Sequence, residues 1–443
     1  MYDNKKIFIL GIARSGFEVA KLLSGYTKEI LITDMKEKEE DIEHISELKK
    51  LGIDVHITEN QADLLDDSFD LVVKNPGVPL NAPVVLKAEE LNIPVINEME
   101  VTFNLLPEGV KIIGTTGSNG KTTTTQITYE ILKKAGLPAI LGGNIGIPVS
   151  GLLKDIKKGD ILVWEISSHQ LVNLVNLKTN ISILTNLTPT HLDFFNGYED
   201  YTTTKKKIFN HHTKEDIAII NNGNSDCVNL TIDVPSKKIT FGDENSDLLV
   251  SDDAIYYNKE QIIKLSDIKL VGMHNYENIM CAIAVAKEFN VSNEVIKEVL
   301  HKFGGVEHRL EFVKEVNKIK FYNDSKSTNC VSTIVALNSF KVPTTIILGG
   351  MDRGHSFDEL KPHMGYVEKV VAYGETRDRI KTFCDSFGMP CSVVETITEA
   401  TKEAYESTKE NGVVVLSPAC ASWDQYDCFE DRGADFKKNV NDL

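Results

Sequence analysis

The chain has 443 residues, 42% hydrophobic and 26% charged, with 48 Lys and Arg against 65 Asp and Glu for a formal net charge of −17. That length exceeds one small core, so about two to four domains are expected. The acidic balance argues against a nucleic-acid partner, which would need a basic surface, and no apolar run approaches the ~20 residues of a membrane span.

Apolar runs alternate with helix-period segments from end to end, the pattern of an α/β protein with mostly parallel sheets. The first unit opens with a strand over 6–10, a turn over 11–16, a helix over 17–24 and a strand over 29–33 that ends at Asp34. A strand over 70–73 runs into Asn75-Pro76-Gly77-Val78-Pro79, and 94–96 completes the unit. A second unit starts at the strand 110–113 and its helix 122–134, followed by strands over 161–164, 181–185 and 217–220. A third follows Gly304-Gly305, with strands over 344–348, 369–372 and 413–416. Boundaries are placed near residues 100 and 305. Met1–Lys6 runs straight into a strand and carries no signal-peptide pattern. The seven cysteines include no C-x-x-C pair, which fits reduced thiols rather than a disulfide frame or zinc site. A cytoplasmic protein is expected.

In doubly wound sheets, ligands gather beyond the C-terminal ends of strands, and the polar clusters fall there. Gly11-Ile12-Ala13-Arg14-Ser15-Gly16, with Asp34 closing the next strand, is a variant dinucleotide fingerprint. Ala13 stands where a second glycine would admit a pyrophosphate, so the turn fits another nucleotide, or a tight βα turn that binds nothing. Gly114-Thr115-Thr116-Gly117-Ser118-Asn119-Gly120-Lys121-Thr122-Thr123 is the stronger signal. Glycines at a strand-to-helix turn let N–H groups converge on phosphate oxygens, Lys121 adds a point charge and Thr122 a hydroxyl for Mg²⁺. Its spacing departs from a Walker A loop, because position 115 carries Thr where glycine is required. Glu165, then His191 and Asp193, follow successive strands; a carboxylate and an imidazole beside ATP phosphates suit Mg²⁺, although each alone reads as a solvated or capping residue. Lys205-Lys206-Lys207 by itself is a solvated basic face, and Asp324 or Ser325 a helix cap.

Together these segments resemble the Mur ligase family of ATP-dependent amide ligases. The motifs are G-T-x-G-x-N-G-K-T-T, Gly142-Gly143-Asn144-Ile145-Gly146, E-x-S-S-x-Q-L at Glu165, the His191/Asp193 segment, H-N-x-x-N at His274, His308-Arg309, N-D-S-K-x-T-N at Asn323 and S-P-A-x-A-S at Ser417. The off-count glycine is typical of the family. Within it, the first turn, the Asn75–Pro79 loop and the ending Ser417–Tyr426 make the chain most similar to the branch that adds D-glutamate to UDP-N-acetylmuramoyl-L-alanine.

The resemblance implies three domains: a Rossmann-like UDP-binding domain over 1–99, a central P-loop ATPase-like domain with a mostly parallel sheet over 100–305, and a Rossmann-like amino-acid-binding domain over 306–443. Arg14, Ser15, Asp34, Lys36 and Asn75 would hold UDP, and Asn144 the region near the pyrophosphate. Gly117, Ser118, Asn119, Gly120, Lys121, Thr122 and Thr123, with Asn275, Asn278, Arg309 and Asp324, would bind ATP. Two Mg²⁺ sites would draw on Thr122, Glu165, His191 and a CO₂-derived carbamate on Lys205, the lysine that the family pattern Y-x-x-x-K-x-x-I-[FY] selects; Lys121, His191 and Lys205 would be the catalytic set. Lys326, Thr328, Ser422 and Phe429 would receive D-glutamate, with Arg353 where some relatives carry lysine, and His169 is expected to be structural. The implied activity is an ATP-dependent acid–D-amino-acid ligase acting through an acyl phosphate in peptidoglycan precursor synthesis, by a monomer. The alternatives are a family ligase with another amino acid, a silent nucleotide-binding regulator that kept the fold, and an NAD-dependent dehydrogenase, which Ala13 undercuts.

Overall fold

The structure, a computed structural model, describes residues 1–36, 41–190, 192, 194–270 and 272–443. The chain divides into two compact units, one formed by Met1–Ile262 with Glu277–Ile296, the other by Ile263–Tyr276 with Lys297–Leu443.

The first unit carries two sheets. The N-terminal one is fully parallel, with the strands ordered Asp54–Ile57, Ile30–Asp34, Ile7–Leu10, Leu71–Lys74, Val95–Asn97. Successive side chains of a strand face opposite ways. Ile7 and Ile9 accordingly join one apolar cluster, with Phe17, Val19 and Leu23 of the helix Arg14–Leu23, while Phe8 and Leu10 join another, with Val84 and Val85 of Pro83–Glu90. Both faces are covered, which is why this strand is apolar without alternation. The order reverses between Ile7–Leu10 and Leu71–Lys74, placing a crevice beyond their ends.

The second sheet has nine strands, ordered Glu260–Lys264, Ala254–Tyr257, Leu248–Ser251, Lys237–Phe241, Ile217–Asn221, Ile181–Leu184, Lys111–Thr116, Ile161–Glu165, Ala139–Gly143. From Leu248–Ser251 to Ala139–Gly143 every pairing is parallel. Leu248–Ser251 and Ala254–Tyr257 are antiparallel, joined through Asp252 and Asp253 at φ 46° and 54°, the left-handed pair of a tight hairpin turn.

The other unit holds a six-stranded sheet, ordered Glu311–Val316, Ile319–Asn323, Val413–Leu416, Thr344–Gly349, Val367–Tyr373, Cys391–Val393. Only the pairing of its first two strands is antiparallel. Apolar clusters cover both faces, around Leu348 and Val415 on one and around Ile347 and Leu416 on the other.

The expected α/β class with mostly parallel sheets is what the chain forms, and each expected strand is present. Two helices start earlier than expected, at Arg14 and at Lys121: Gly16 of the expected turn lies buried inside the first, and Gly120 caps the second directly. All seven cysteines are free thiols. Among the described residues no helix is long and apolar enough to cross a membrane.

Candidate functional site

The strand Lys111–Thr116 ends in the loop 117–120, and the helix Lys121–Lys134 begins at once. Gly117 and Gly120 have φ of +147° and +82°, and a Cβ on either would stand 1.9 Å from Thr185 Oγ1 or 2.1 Å from Asn278 Oδ1. Both backbone conformation and space therefore exclude a side chain at these two positions. The loop is braced from the neighbouring strand end. Ser118 N donates to Asn186 O at 2.8 Å, Asn119 N to Asn186 Oδ1 at 3.0 Å and Thr185 Oγ1 to Asn119 O at 2.6 Å. Lys121 Nζ lies back over the loop, donating to the carbonyls of Gly117 and Ser118 at 2.9 Å each. Ser118 Oγ and the buried Tyr201 hydroxyl are 2.8 Å apart, and burial raises that phenol to about 12. Thr122 and Thr123 are buried in the first helical turn, and Asn278 accepts from Thr124 Oγ1 at 3.2 Å.

Two ionisable side chains lie beside this loop. Glu165 pairs in register with Thr115 and is 1% exposed. Its Oε1 accepts from Asn144 Nδ2 at 2.8 Å, while Oε2 is buried with no hydrogen-bond partner among the described residues. A buried carboxylate oxygen without a donor is costly unless a cation satisfies it, so the donor set fits a divalent ion that prefers oxygen. Lys205 is also 1% exposed; its Nζ stands 3.3 Å from Thr116 Oγ1 and 5.0 Å from the centre of the Tyr201 ring. Burial, and then repulsion from Lys121, holds its ammonium well below the usual lysine range. His191 and Asp193 lie outside the described residues.

A cavity of ≈ 420 Å³ is lined by Ser15 and Asn75 together with Lys121, Asn144, Tyr201 and Lys205. His169, expected to be structural, packs edge-on to Phe194 with ring centroids 4.3 Å apart and also lines this cavity. A second cavity of ≈ 490 Å³ lies beyond the N-terminal strands, lined by Gly11, Ala13, Asp34, Asn75, Gly77 and others. Asp34 closes the first turn, accepting from Ile12 N at 2.9 Å through Oδ2 and from Met35 N at 2.7 Å through Oδ1. Arg14 and Lys36 are exposed nearby in sequence and line neither cavity.

In the other unit, three adjacent strand ends supply loops. Asp324 follows Ile319–Asn323 and accepts from Leu310 N at 3.1 Å and Ser417 Oγ at 2.7 Å; burial raises its carboxyl to about 6. Lys326 Nζ stands 5.5 Å over the Phe429 ring. Arg432, fully buried on the helix Phe429–Asn441, ties the loops together. It donates through Nε to Ser325 Oγ at 2.9 Å, and through its terminal nitrogens to Ser325 O at 2.8 Å and Cys420 O at 3.1 Å. Ser422 is 2% exposed, Thr328 is half-buried and Arg309 is exposed. Arg353 stacks on the exposed Trp423, 4.6 Å from the ring centroid. Asn275 is 5% exposed, on the first turn of the helix Met273–Glu288.

Sequence reasoning missed Thr185, Asn186, Tyr201 as a loop contact, Lys74 and Arg432. Arg432 had a signal, since a lone arginine one turn into a helix beginning at the expected ligand residue Phe429 invites a buried role.

Comparisons with known proteins agree with one another along the chain. Residues 5–97 match the N-terminal domain described as Mur ligase MurD-like, 115–286 the Mur ligase middle domain, and 308–420 the Mur ligase glutamate ligase domain. UDP-N-acetylmuramoylalanine–D-glutamate ligase of Bacillus cereus (strain G9842) is 38% identical over 446 residues, covering 100% of this chain and 98% of the relative. The protein of the same name from Geobacillus kaustophilus (strain HTA426) is 40% identical over 447 residues, with the same coverage. Among solved structures, UDP-N-acetylmuramate–alanine ligase of Thermotoga maritima is similar in fold at TM-score 0.62 and 21% identity, covering 99% of this chain and 100% of that one. MurF of Acinetobacter baumannii follows at TM-score 0.61 and 16% identity, covering 98% of this chain and 94% of that one.

Proposed function

The chain belongs to the Mur ligase family, and from that premise we propose how its own residues carry out the family's reaction. It is an ATP-dependent ligase that adds D-glutamate to UDP-N-acetylmuramoyl-L-alanine in peptidoglycan precursor synthesis. The observation that carries the residue assignment is the ≈ 420 Å³ cavity in which Ser15 and Asn75, from the helix and loop beside the five-stranded sheet, share one lining with Lys121, Asn144 and Lys205, from helices and a loop beside the nine-stranded sheet.

The L-alanyl carboxylate attacks the γ-phosphoryl group of ATP, the bond to ADP breaks and an acyl phosphate forms. The amine of D-glutamate then attacks the acyl carbon, the C–O bond to phosphate breaks, and the amine gives up a proton. Such chemistry depends on positioning and on charge neutralisation. Lys121 turns from the Gly117 and Ser118 carbonyls to the phosphates, and Gly117, Ser118, Asn119, Gly120, Thr122 and Thr123 cradle them with N–H groups and hydroxyls. Asn278, Asn275, Arg309 and Asp324 hold the rest of the nucleotide. Arg14, Ser15, Asp34, Lys36 and Asn75 bind the UDP portion, and Asn144 fixes the substrate near its pyrophosphate. Lys326, Thr328, Ser422 and Phe429 receive D-glutamate, with Arg353 positioned for a bidentate carboxylate contact.

Mg²⁺, when bound, neutralises charge on the phosphoryl oxygens, and Thr122, Glu165, His191 and a carbamate on Lys205 would hold it at two sites. The unpartnered Oε2 of Glu165 supports this reading. So does Lys205, whose depressed pKa leaves a fraction of neutral amine able to add CO₂. Domains over 1–99, 100–305 and 306–443, a monomer and a cytoplasmic location complete the proposal.

Phosphate release from ATP, measured across nucleotide-sugar and amino-acid combinations, tests it. Release is expected only with UDP-N-acetylmuramoyl-L-alanine and D-glutamate together; release with another amino acid would move the chain to another branch of the family.

A further inference from the structure

Lys74 ends the strand Leu71–Lys74, and its side chain is 0% exposed. A lysine at a strand end ordinarily carries its charge out to water. Here Nζ turns inward and donates to Val78 O at 2.6 Å, Asn75 O at 3.2 Å and Pro76 O at 3.4 Å. An ammonium has three donors and no acceptor, so three carbonyls of one short loop match it fully. Burial lowers its pKa to about 8, and the group is still cationic at neutral pH.

The loop so held faces two ways. With its carbonyls turned in, it presents Asn75 and Gly77 to the ≈ 490 Å³ cavity of the N-terminal sheet. The same two residues line the ≈ 420 Å³ cavity that reaches Lys121, Asn144 and Lys205. Asn75 Oδ1 accepts from Gly77 N at 3.2 Å, and Asn75 N donates to Leu10 O at 2.9 Å, so the turn is pinned to the adjoining strand as well. A substrate with its nucleotide in the first cavity and its reacting carboxylate in the second must pass this loop.

We propose that Lys74 is a positioning residue for the UDP-linked substrate, its ammonium holding the carbonyls of Asn75, Pro76 and Val78 so that the loop keeps the substrate in line between the two cavities. The inference rests on the assignment of these cavities to UDP-N-acetylmuramoyl-L-alanine. Without the cation, the Pro76 and Val78 carbonyls would lose this donor and turn towards water, while Asn75 O would keep only Val78 N at 3.0 Å.

The test is steady-state kinetics of the full chain with Lys74→Met, which keeps the length and apolar stem, and Lys74→Gln, which restores part of the donation. KM for UDP-N-acetylmuramoyl-L-alanine should rise about tenfold in Lys74→Met, the order expected from losing a charge-assisted hydrogen bond. KM for ATP, KM for D-glutamate and kcat should stay near wild type, with Lys74→Gln falling between. An unchanged precursor KM, or a uniform loss in kcat with no change in any KM, overturns the proposal and leaves Lys74 as a folding residue. Should Lys74→Met fail to fold, the same split is required of Lys74→Gln, and its absence there overturns the proposal. Failure of the wild-type protein to turn over this precursor would instead overturn the substrate assignment, and is distinguished from the first outcome by the wild-type control.

Discussion

Asn144 Nδ2 donates to Oε1 of Glu165 at 2.8 Å, and Oε2 of the same carboxylate is buried without a donor among the described residues. Asn144 thereby fixes the carboxylate plane, and under the proposed metal role the second oxygen is the one that would meet the cation. Glu165→Gln preserves size and the Asn144 contact but removes the charge. We expect kcat to fall about 100-fold, the order seen when one preorganised electrostatic group is removed. The Mg²⁺ concentration for half-maximal rate should rise, while the thermal midpoint holds. A magnesium titration of both proteins checks this, and an unchanged rate would take Glu165 out of the metal set.

Lys205 makes a different prediction. Its Nζ is buried beside Thr116 and opposed by Lys121, so a permanent ammonium is disfavoured there. Incubation with ¹³C-bicarbonate should give a carbamate resonance in the wild-type protein that is absent in Lys205→Ala, and activity depleted of CO₂ should recover on adding bicarbonate. A wild-type spectrum without the resonance would show that the lysine acts unmodified.

His212 predicts a pH dependence of stability. Its ring lies between Ser182 Oγ at 2.9 Å and Ser236 Oγ at 3.0 Å, and burial lowers its pKa to about 4. The unfolded chain takes up this proton near pH 6.5 and the folded chain only near 4, so stability present above pH 6.5 is lost as pH falls between those values. The loss amounts to about 3 kcal/mol. Asp216 beside it has a lowered pKa, so its own contribution is constant across that window and is lost only as pH falls below its ordinary value. Urea unfolding of wild type and His212→Asn from pH 4 to 7 should show a shallower slope in the variant.

Arg432 joins the Ser325 and Cys420 loops from the helix that carries Phe429. Arg432→Met leaves two carbonyls and a hydroxyl without their donor, at about 1–3 kcal/mol each before relaxation. A lowered thermal midpoint is expected, together with a KM for D-glutamate raised about tenfold and a KM for the UDP-linked substrate left unchanged. Equal changes in both KM values would contradict the placement of the amino acid at these loops.

The apolar strands were legible because they are buried on both faces: Ile7–Leu10 and Val413–Leu416 are unbroken apolar runs. Asp54–Ile57, half-exposed at a sheet edge, and Leu248–Lys264, with its polar turns, give no such run. The phosphate loop was legible because its glycines are forced by backbone geometry. Its bracing by Thr185 and Asn186 was not, since those contacts join residues more than sixty positions apart. Lys74 was hidden for a related reason: inward or outward orientation of a lysine at a strand end depends on where the next carbonyls turn.

The central claim is that ATP activates the L-alanyl carboxylate as an acyl phosphate in the site built on Lys121, Glu165 and Lys205. Precursor labelled with ¹⁸O in that carboxylate, turned over with ATP and D-glutamate, measures this directly by the isotope content of the released phosphate. One ¹⁸O atom transferred to each phosphate is predicted; unlabelled phosphate formed alongside the amide product would contradict the account.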